Sequence, residues 1–421
     1  MAKILFLSGG YYPETTPNGV CLRMVALQLL RQGHEVHIVC QGEHEGTAED
    51  CIHEGIHLHY IKPNLFLRLR RYGESNPQKL SGRISYVVAM LLNKLQKVLL
   101  LPWYPLNHPY SLNLFYQRAV KLQDENHFDR IIGLYCPLEA TYAAVKLKNK
   151  FSSLKVGVYV LDSLIYMPGA SYFPRRIANW LQWRMESKVY RGVDMVFNMR
   201  CHEIHHRAPK YDCFRQKIHF LDIPLFVPRQ VHEPMEEPLF DRSRLQLIYM
   251  GTLFKNYREP YYLCRLASDL NSEFSIQIHF YTRGSCEAEL SEMAKNSADI
   301  IQQHGYVSHS LVETIYANAD FLVNIGVNSS TMISSKIFDY MAYGKPIIHF
   351  YYQDDDVNNK YLNEYPLCCM IQMKDELYEM NKEKLRKFLS AAKGKTIDAH
   401  FLLEKFKENI PEYTANAFVT F

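Results

Sequence analysis

No two of the ten cysteines form a C-x-x-C pair, and several of them, Cys40, Cys264 and the Cys368-Cys369 doublet included, sit inside apolar runs. That spacing gives neither a paired-cysteine metal site nor a disulfide framework; free buried thiols in a reducing compartment account for it. Missing too is any apolar run approaching the roughly 18 residues that a membrane-spanning helix needs. The N-terminus lacks the charged start, long apolar centre and cleavage site of a signal peptide: Lys3 leads straight into a short apolar stretch over 4–7 and then into polar turns. Neither sign of charge dominates, with 48 Lys and Arg against 44 Asp and Glu, and the formal net charge of +4 is too small to imply a nucleic-acid partner. There is no short-period repeat and no low-complexity tract. These absences point to a cytoplasmic protein, either free or peripheral on the inner face of the membrane.

What is present is an ordinary globular composition, 48% apolar and 22% charged, over 421 residues, which favours more than one domain. A strand over 4–7, a Gly- and Pro-containing turn, and a helix with Leu22, Val25, Leu29 and Leu30 come first. Gly33 stops that helix before a second strand over 35–39, a βαβ opening. Strand-like runs follow at 57–61, 130–134, 155–161, 195–198 and 218–221. Prolines 224, 228, 234 and 238 and an acidic patch then interrupt the pattern. A second alternating series occupies 245–250, 275–281, 321–325, 346–350 and 367–371. The expected fold class is therefore α/β: two Rossmann-like domains with parallel sheets and a ligand cleft between them. The expected boundaries are 1–225 for the first domain, 226–244 for a proline-rich linker and 245–395 for the second domain. A C-terminal helical segment, 396–421, is expected to pack back on the first.

Three places carry chemistry-bearing residues. Ser334-Ser335-Lys336-Ile337-Phe338-Asp339-Tyr340-Met341-Ala342-Tyr343-Gly344-Lys345-Pro346 reads as a helix start, a short amphipathic helix, a glycine stop and a buried strand. Ser334 or Ser335 caps that helix in this reading, its free N–H groups and Lys336 receive a phosphate, and Asp339, one turn on, accepts from a ribose diol. In Gly251-Thr252-Leu253-Phe254-Lys255-Asn256-Tyr257-Arg258 a glycine at a strand end precedes two cations, a pattern suited to a diphosphate leaving group. Either Lys255 or Arg258 fits that role. Asp162 places a carboxylate just past the strand over 155–161, at the same cleft.

The order serine, lysine, acid, aromatic, small residue, Gly-x-Pro resembles the donor-site signature of glycosyltransferase family 4-like enzymes of GT-B fold. Leu30-Arg31-Gln32-Gly33-His34-Glu35-Val36 resembles that family's leucine, glycine-histidine-glutamate-valine turn. The resemblance implies transfer of a sugar from a nucleotide-diphosphate donor to a glycan or lipid-linked acceptor in surface polysaccharide or glycoconjugate synthesis. It further implies retention at the anomeric carbon, no bound metal and no cofactor beyond the nucleotide-sugar co-substrate. Gly305-Tyr306-Val307 resembles the segment whose backbone reads the base, so Tyr306 and Val307 join Gly251 in the donor set. Of the family's Glu-x7-Glu pair, Asp339 matches the second acid and Thr331 stands where the first would be. Gly9-Gly10-Tyr11 through Asn18-Gly19 resembles the first-strand loop; it puts Tyr11 and Asn18 on the acceptor side and gives Gly19 a close approach to the donor. Asp162 matches the position of an Asp or His that touches sugar or acceptor. The Thr331 departure keeps a non-catalytic nucleotide-sugar-binding scaffold as an alternative, and an epimerase of the same fold is another.

His202-Glu203-Ile204-His205-His206 satisfies the two-histidine helix pattern of a zinc peptidase, the remotest alternative, but it follows a strand and meets Pro209 early. Asp354-Asp355-Asp356 reads as a solvated loop. Between Lys62 and Lys97 eight basic residues stand against one acid, Glu74, ahead of the apolar and aromatic 86–104. This 62–104 segment suits contact with an anionic membrane surface; the run over 86–101 reads equally as core.

Overall fold

Apolar runs become buried strands in both halves of the chain. The computed structural model describes residues 1–10, 16–42, 50–106, 108–162, 174–228, 239–305, 307, 309–328 and 333–421. The chain forms two compact units, Met1–Pro224 with Pro411–Phe421, and Leu225–Ile410. The first unit holds β1 (Lys3–Leu7), β2 (Glu35–Gln41), β3 (Asp50–His53), β4 (Ile56–Ile61), β5 (Arg130–Leu134), β6 (Lys155–Val160), β7 (Met195–Met199) and β8 (Ile218–Leu221) in the order β3-β4-β2-β1-β5-β6-β7-β8. All neighbours are parallel except β3 with β4. The helices of this unit are α1 (Pro17–Arg31), α2 (Leu65–Ser75), α3 (Leu80–Leu99), α4 (Pro109–Asn126), α5 (Leu138–Lys150), α6 (Arg175–Arg191) and α7 (Glu203–His206). Leu5 and Leu7 bury on the α4–α5 side of the sheet and Ile4 and Phe6 on the α1 side. Both faces are thus covered, as a parallel sheet requires.

The second unit is a six-stranded parallel sheet: β9 (Leu245–Thr252), β10 (Ile276–Arg283), β11 (Ile301–His304), β12 (Phe321–Ile325), β13 (Ile347–Tyr351) and β14 (Cys368–Gln372), ordered β11-β10-β9-β12-β13-β14. Its helices are α8 (Tyr261–Phe274), α9 (Glu287–Asn296), α10 (His309–Asn318), α11 (Lys336–Ala342), α12 (Val357–Asn363), α13 (Tyr378–Ala392) and α14 (Ala399–Lys405); α15 (Pro411–Thr420) follows and belongs to the first unit.

Two edge strands go beyond the sequence reading. β3 turns into β4 through Glu54 and Gly55, both at positive φ, 53° and 83°. β11 reads Ile-Gln-Gln-His, with no apolar run to reveal it. The C-terminal expectation needs correcting. Only 411–421 returns to the first unit; α14 stays with the second, where Leu402 and Phe406 are buried and the Phe406 ring lies tilted against Phe226 with centroids 5.6 Å apart. Pro411 at the start of α15 makes the break, because a helix running on from residue 409 would lack its N–H. Residues 225 and 226 already belong to the second unit, while 229–238 of the expected linker lie outside the described residues. No described helix is long and apolar enough to cross a membrane.

Candidate active site

The site of the second unit starts at the carboxyl end of β9. A Cβ on Gly251 would stand 3.0 Å from Lys336 Nζ and 3.2 Å from the Tyr249 hydroxyl, so glycine is what lets the ammonium come up against the strand end. Lys336 opens α11 and is mostly buried. Its pKa falls to about 8, first because burial removes water and then because Arg258 is a like-charged neighbour; Asp339, one turn along, acts in the opposite direction. Among the described residues no carboxylate comes within 4.0 Å of the Lys336 ammonium or the Arg258 guanidinium.

Arg258 is aimed by a tight turn. Phe254 and Arg258 exchange backbone hydrogen bonds at 3.0 and 2.8 Å, Asn256 occupies the tip at φ 61°, and the Asn256 N–H donates to Glu259 Oε1 at 2.8 Å. The guanidinium lies beside the Tyr249 hydroxyl, and its Nε is buried without a hydrogen-bond partner. Lys255, one residue before the turn's tip, points elsewhere: it is exposed, and its ammonium pairs with Glu289 of α9, which raises the lysine pKa. The structure therefore separates the two candidate cations and places Arg258, not Lys255, with Lys336.

The entry of α11 is pinned by polar residues from four elements. The Ser334 N–H donates to Asn358 Oδ1 at 2.7 Å, and Asn358 donates through its N–H and Nδ2 to Asp356 Oδ1 at 2.9 and 2.7 Å. Ser334 Oγ donates to Asn324 Oδ1 at 3.2 Å, and Asn324 Nδ2 donates to His349 Nδ1 at 2.8 Å. With Nδ1 accepting, the His349 proton sits on Nε2, which faces Asp356 Oδ2 across 4.0 Å, so the ring is completed by proximity and not by a hydrogen bond. Burial holds His349 neutral, with its pKa lowered to about 4, and pushes the Asp356 carboxyl up. A Cβ on Gly326, just past β12, would stand 2.8 Å from Asp356 Oδ2 and 3.1 Å from the Phe350 carbonyl oxygen, so glycine leaves room for the buried carboxyl there.

This ring corrects the expected helix cap. Ser334 is turned inward to Asn324, and Ser335, already helical at φ −55° and ψ −27°, makes no side-chain cap. A capping side chain needs extended backbone at the cap position, which Ser335 does not supply, and the Ser334 hydroxyl is committed to Asn324. The ring residues lie on β12, β13, α12 and the loops before α11 and α12, so no local pattern announces them.

In the first unit, Asn18 Nδ2 donates to Asp162 Oδ2 at 3.0 Å, which joins the start of α1 to the end of β6. Asp162 is exposed there. Gly19 departs from its expected role: it is buried in the first turn of α1, and its N–H donates to Thr16 Oγ1, the helix cap, at 3.1 Å. Val307 is half-buried just after β11. Tyr11, Tyr306 and Thr331 lie outside the described residues.

Neither decoy forms a site among the described residues. His206 Nδ1 donates to the His202 carbonyl at 2.9 Å, its Nε2 meets the Tyr190 hydroxyl at 3.2 Å, and His202 Nδ1 meets Asn198 Oδ1 at 3.2 Å. The His-Glu-x-x-His pattern is thus spent on packing a four-residue helix, and the zinc-peptidase reading falls with it. Asp356 caps α12, and Asp354 accepts from Gln372 at 2.9 Å.

Residues 244–363 match the family model of glycosyl transferases group 1. No curated protein matches the sequence. Among solved structures, an α,α-trehalose-phosphate synthase (UDP-forming) from Burkholderia xenovorans in complex with glucose-6-phosphate aligns with a TM-score of 0.62 at 10% identity, covering 99% of each chain. The sucrose-phosphate synthase of Thermosynechococcus elongatus aligns at 0.59 and 12% identity over 99% of this chain and 95% of its own. UDP-GlcNAc 2-epimerase from Methanocaldococcus jannaschii aligns at 0.51 and 10% identity over 99% of each chain. The group 1 match spans Gly251, Arg258, Lys336 and Asp339, and the likeness to these solved structures over the full length of the chain shows a GT-B fold.

Proposed function

We propose that the second unit binds a nucleotide-diphosphate sugar, with the diphosphate against Lys336 and Arg258 and the ribose on Asp339. The glycosyl group then passes to a hydroxyl of a glycan or lipid-linked acceptor handled by the first unit at the Asp162–Asn18 pair. The observation that carries this reading is the adjacency of two cations with which no described carboxylate forms an ion pair, beside a glycine at the end of a central parallel strand. Like charges held together in a partly buried place are costly until a polyanion arrives between them.

In the transfer, the bond from the anomeric carbon to the diphosphate oxygen breaks and the diphosphate takes the electron pair. The acceptor oxygen bonds to that carbon and gives its proton to the departing diphosphate. Negative charge on the leaving group grows along this path, so pre-placed cations favour the transition state over the bound donor, and loss of one such group costs on the order of 100- to 1,000-fold in kcat. Lys336 and Arg258 supply the charge that a metal ion supplies elsewhere, which supports a metal-independent reaction; retention at the anomeric carbon is proposed from the family resemblance. The reaction belongs to the synthesis of a surface polysaccharide or glycoconjugate on the cytoplasmic side.

The test is calorimetric titration with nucleoside mono- and diphosphates on the wild type, Lys336→Ala and Arg258→Ala. A diphosphate preference that both variants lose by tenfold or more is expected. Equal affinity for mono- and diphosphates, or unaltered binding in both variants, would sink the assignment. Since a UDP-GlcNAc 2-epimerase shares the fold, the best donor is also incubated without acceptor; an epimerised donor would reassign the reaction.

A further inference from the structure

Helix α3 is built inside out. The face it packs against α2 carries small residues: Gly82, Ser85 and Ala89 are buried there, and Ser85 Oγ donates to the Leu69 carbonyl at 2.8 Å. A Cβ on Gly73 of α2 would stand 2.7 Å from Tyr86 Cβ and 2.9 Å from the Gly82 carbonyl oxygen, so the hairpin closes only because glycines line it. On the opposite face, at about 100° per residue, Leu80, Ile84, Val87, Leu91, Leu95 and Val98 form one stripe, spaced four, three, four, four and three residues apart. Leu80 is 74% exposed, Leu91 60% and Leu95 56%, and Leu99 and Trp103 extend the apolar surface past the end of the helix. A soluble helix hides such a stripe; here the large side chains face out and no described residue covers them. The alternative that 86–101 is core is thereby excluded for this stripe.

The charge beside the stripe says what covers it. Arg83, Lys94 and Lys97 lie along one edge of α3, and Lys62, Arg68 and Lys79 lie on α2 and its flanks. After Glu74 no acidic residue occurs until Asp124. The Tyr104 hydroxyl accepts from Gln182 of α6 at 3.3 Å, which ties the chain just past α3 to the rest of the first unit. A second copy docked on this face would set one basic edge against another, whereas an anionic surface complements it.

We infer that α3 is a membrane-docking helix: it lies in the interface of an anionic bilayer, its leucine and valine stripe in the acyl boundary and its basic edge on lipid phosphates. Trp103 sits at headgroup depth in that pose. The inference stands apart from the donor reading, since it involves no residue of the second unit.

Co-sedimentation of the full chain with phosphatidylcholine vesicles, with and without phosphatidylglycerol, tests it without any nucleotide present. Binding to the anionic vesicles is expected on the order of tenfold or more tighter than to neutral ones, weakened by salt, with a blue shift of tryptophan emission. Leu91→Ser with Leu95→Ser should abolish the binding. Arg83→Glu with Lys94→Glu should reduce it at least tenfold and remove the preference for anionic lipid. All four positions are exposed, and circular dichroism confirms the fold of each variant. Wild-type protein that stays in the supernatant with both vesicles overturns the inference, as do serine variants that bind like wild type. A dimer in sedimentation equilibrium that the serine pair dissociates, with no vesicle binding, assigns the stripe to a second copy instead.

Discussion

Lys336 is held where water is scarce and Arg258 repels it, and both effects favour its neutral form. In the unfolded chain the lysine titrates at its ordinary value of 10.5, in the fold at about 8. Between those values the unfolded chain holds a proton that the folded one has released, so stability rises with pH through that window and the cost is fully present below it. Three outcomes follow. Lys336→Met should raise the melting temperature of the ligand-free protein while removing diphosphate affinity, a trade expected wherever a binding site is destabilised for its ligand. Donor affinity of the wild type should hold to about pH 7 and then fall by up to about tenfold per pH unit above 8, as the ammonium is lost. Lys336→Arg, always charged, should flatten that decline. Calorimetry between pH 6 and 10 reads all three, and a wild-type affinity that ignores pH above 8 would remove Lys336 from the diphosphate site.

At the scale of elements, α11 owes its position less to its own seven residues than to the ring beneath its first turn. Asn358 is the link to break, because its Oδ1 is the acceptor for a buried Ser334 N–H. Asn358→Ala orphans that donor and should cost about 1 to 3 kcal/mol in urea unfolding. Donor affinity should fall with it, while Gln353→Ala, which removes only an exposed bond to Asn328, should leave both unchanged. Here lies the boundary of what the sequence made legible. Strands that are buried on both faces are continuous apolar runs, and twelve of the fourteen could be read that way; β3 and β11, on sheet edges with polar residues, could not. Gly251, Arg258, Lys336 and Asp339 stand in two short motifs and were readable. Asn324, His349, Asp356 and Asn358 come together only through the folding of β12, β13 and α12, and single polar residues in such places look like solvated loops. The direction of the α3 stripe was hidden for a related reason. A helical period tells which residues share a face, and nothing in it tells which face is inward.

At the scale of the whole molecule, the chain leaves the first unit after Pro224 and returns to it at Pro411, so the first unit is completed by residues that follow the whole of the second along the chain. The return is sealed by aromatic packing: Phe418 is fully buried, with ring centroids 5.9 Å from Phe6, 5.1 Å from Tyr159 and 4.8 Å from Phe197. Arg130 adds a hydrogen bond to the Phe421 carbonyl at 3.2 Å. Truncating Phe418 to alanine removes a ring from a packed core and should destabilise the first unit by about 3 to 5 kcal/mol. For a unit of this size that lowers its melting temperature by about 6 °C or more. The second unit, built on its own sheet and core, has no part in this contact. Calorimetric scans of Phe418→Ala should therefore show one transition moved down and another, identified by its upward shift with nucleoside diphosphate, left in place. If the nucleotide-sensitive transition moves down by the same amount, the two units melt as a single cooperative block, and α15 fastens the entire chain rather than the first sheet alone.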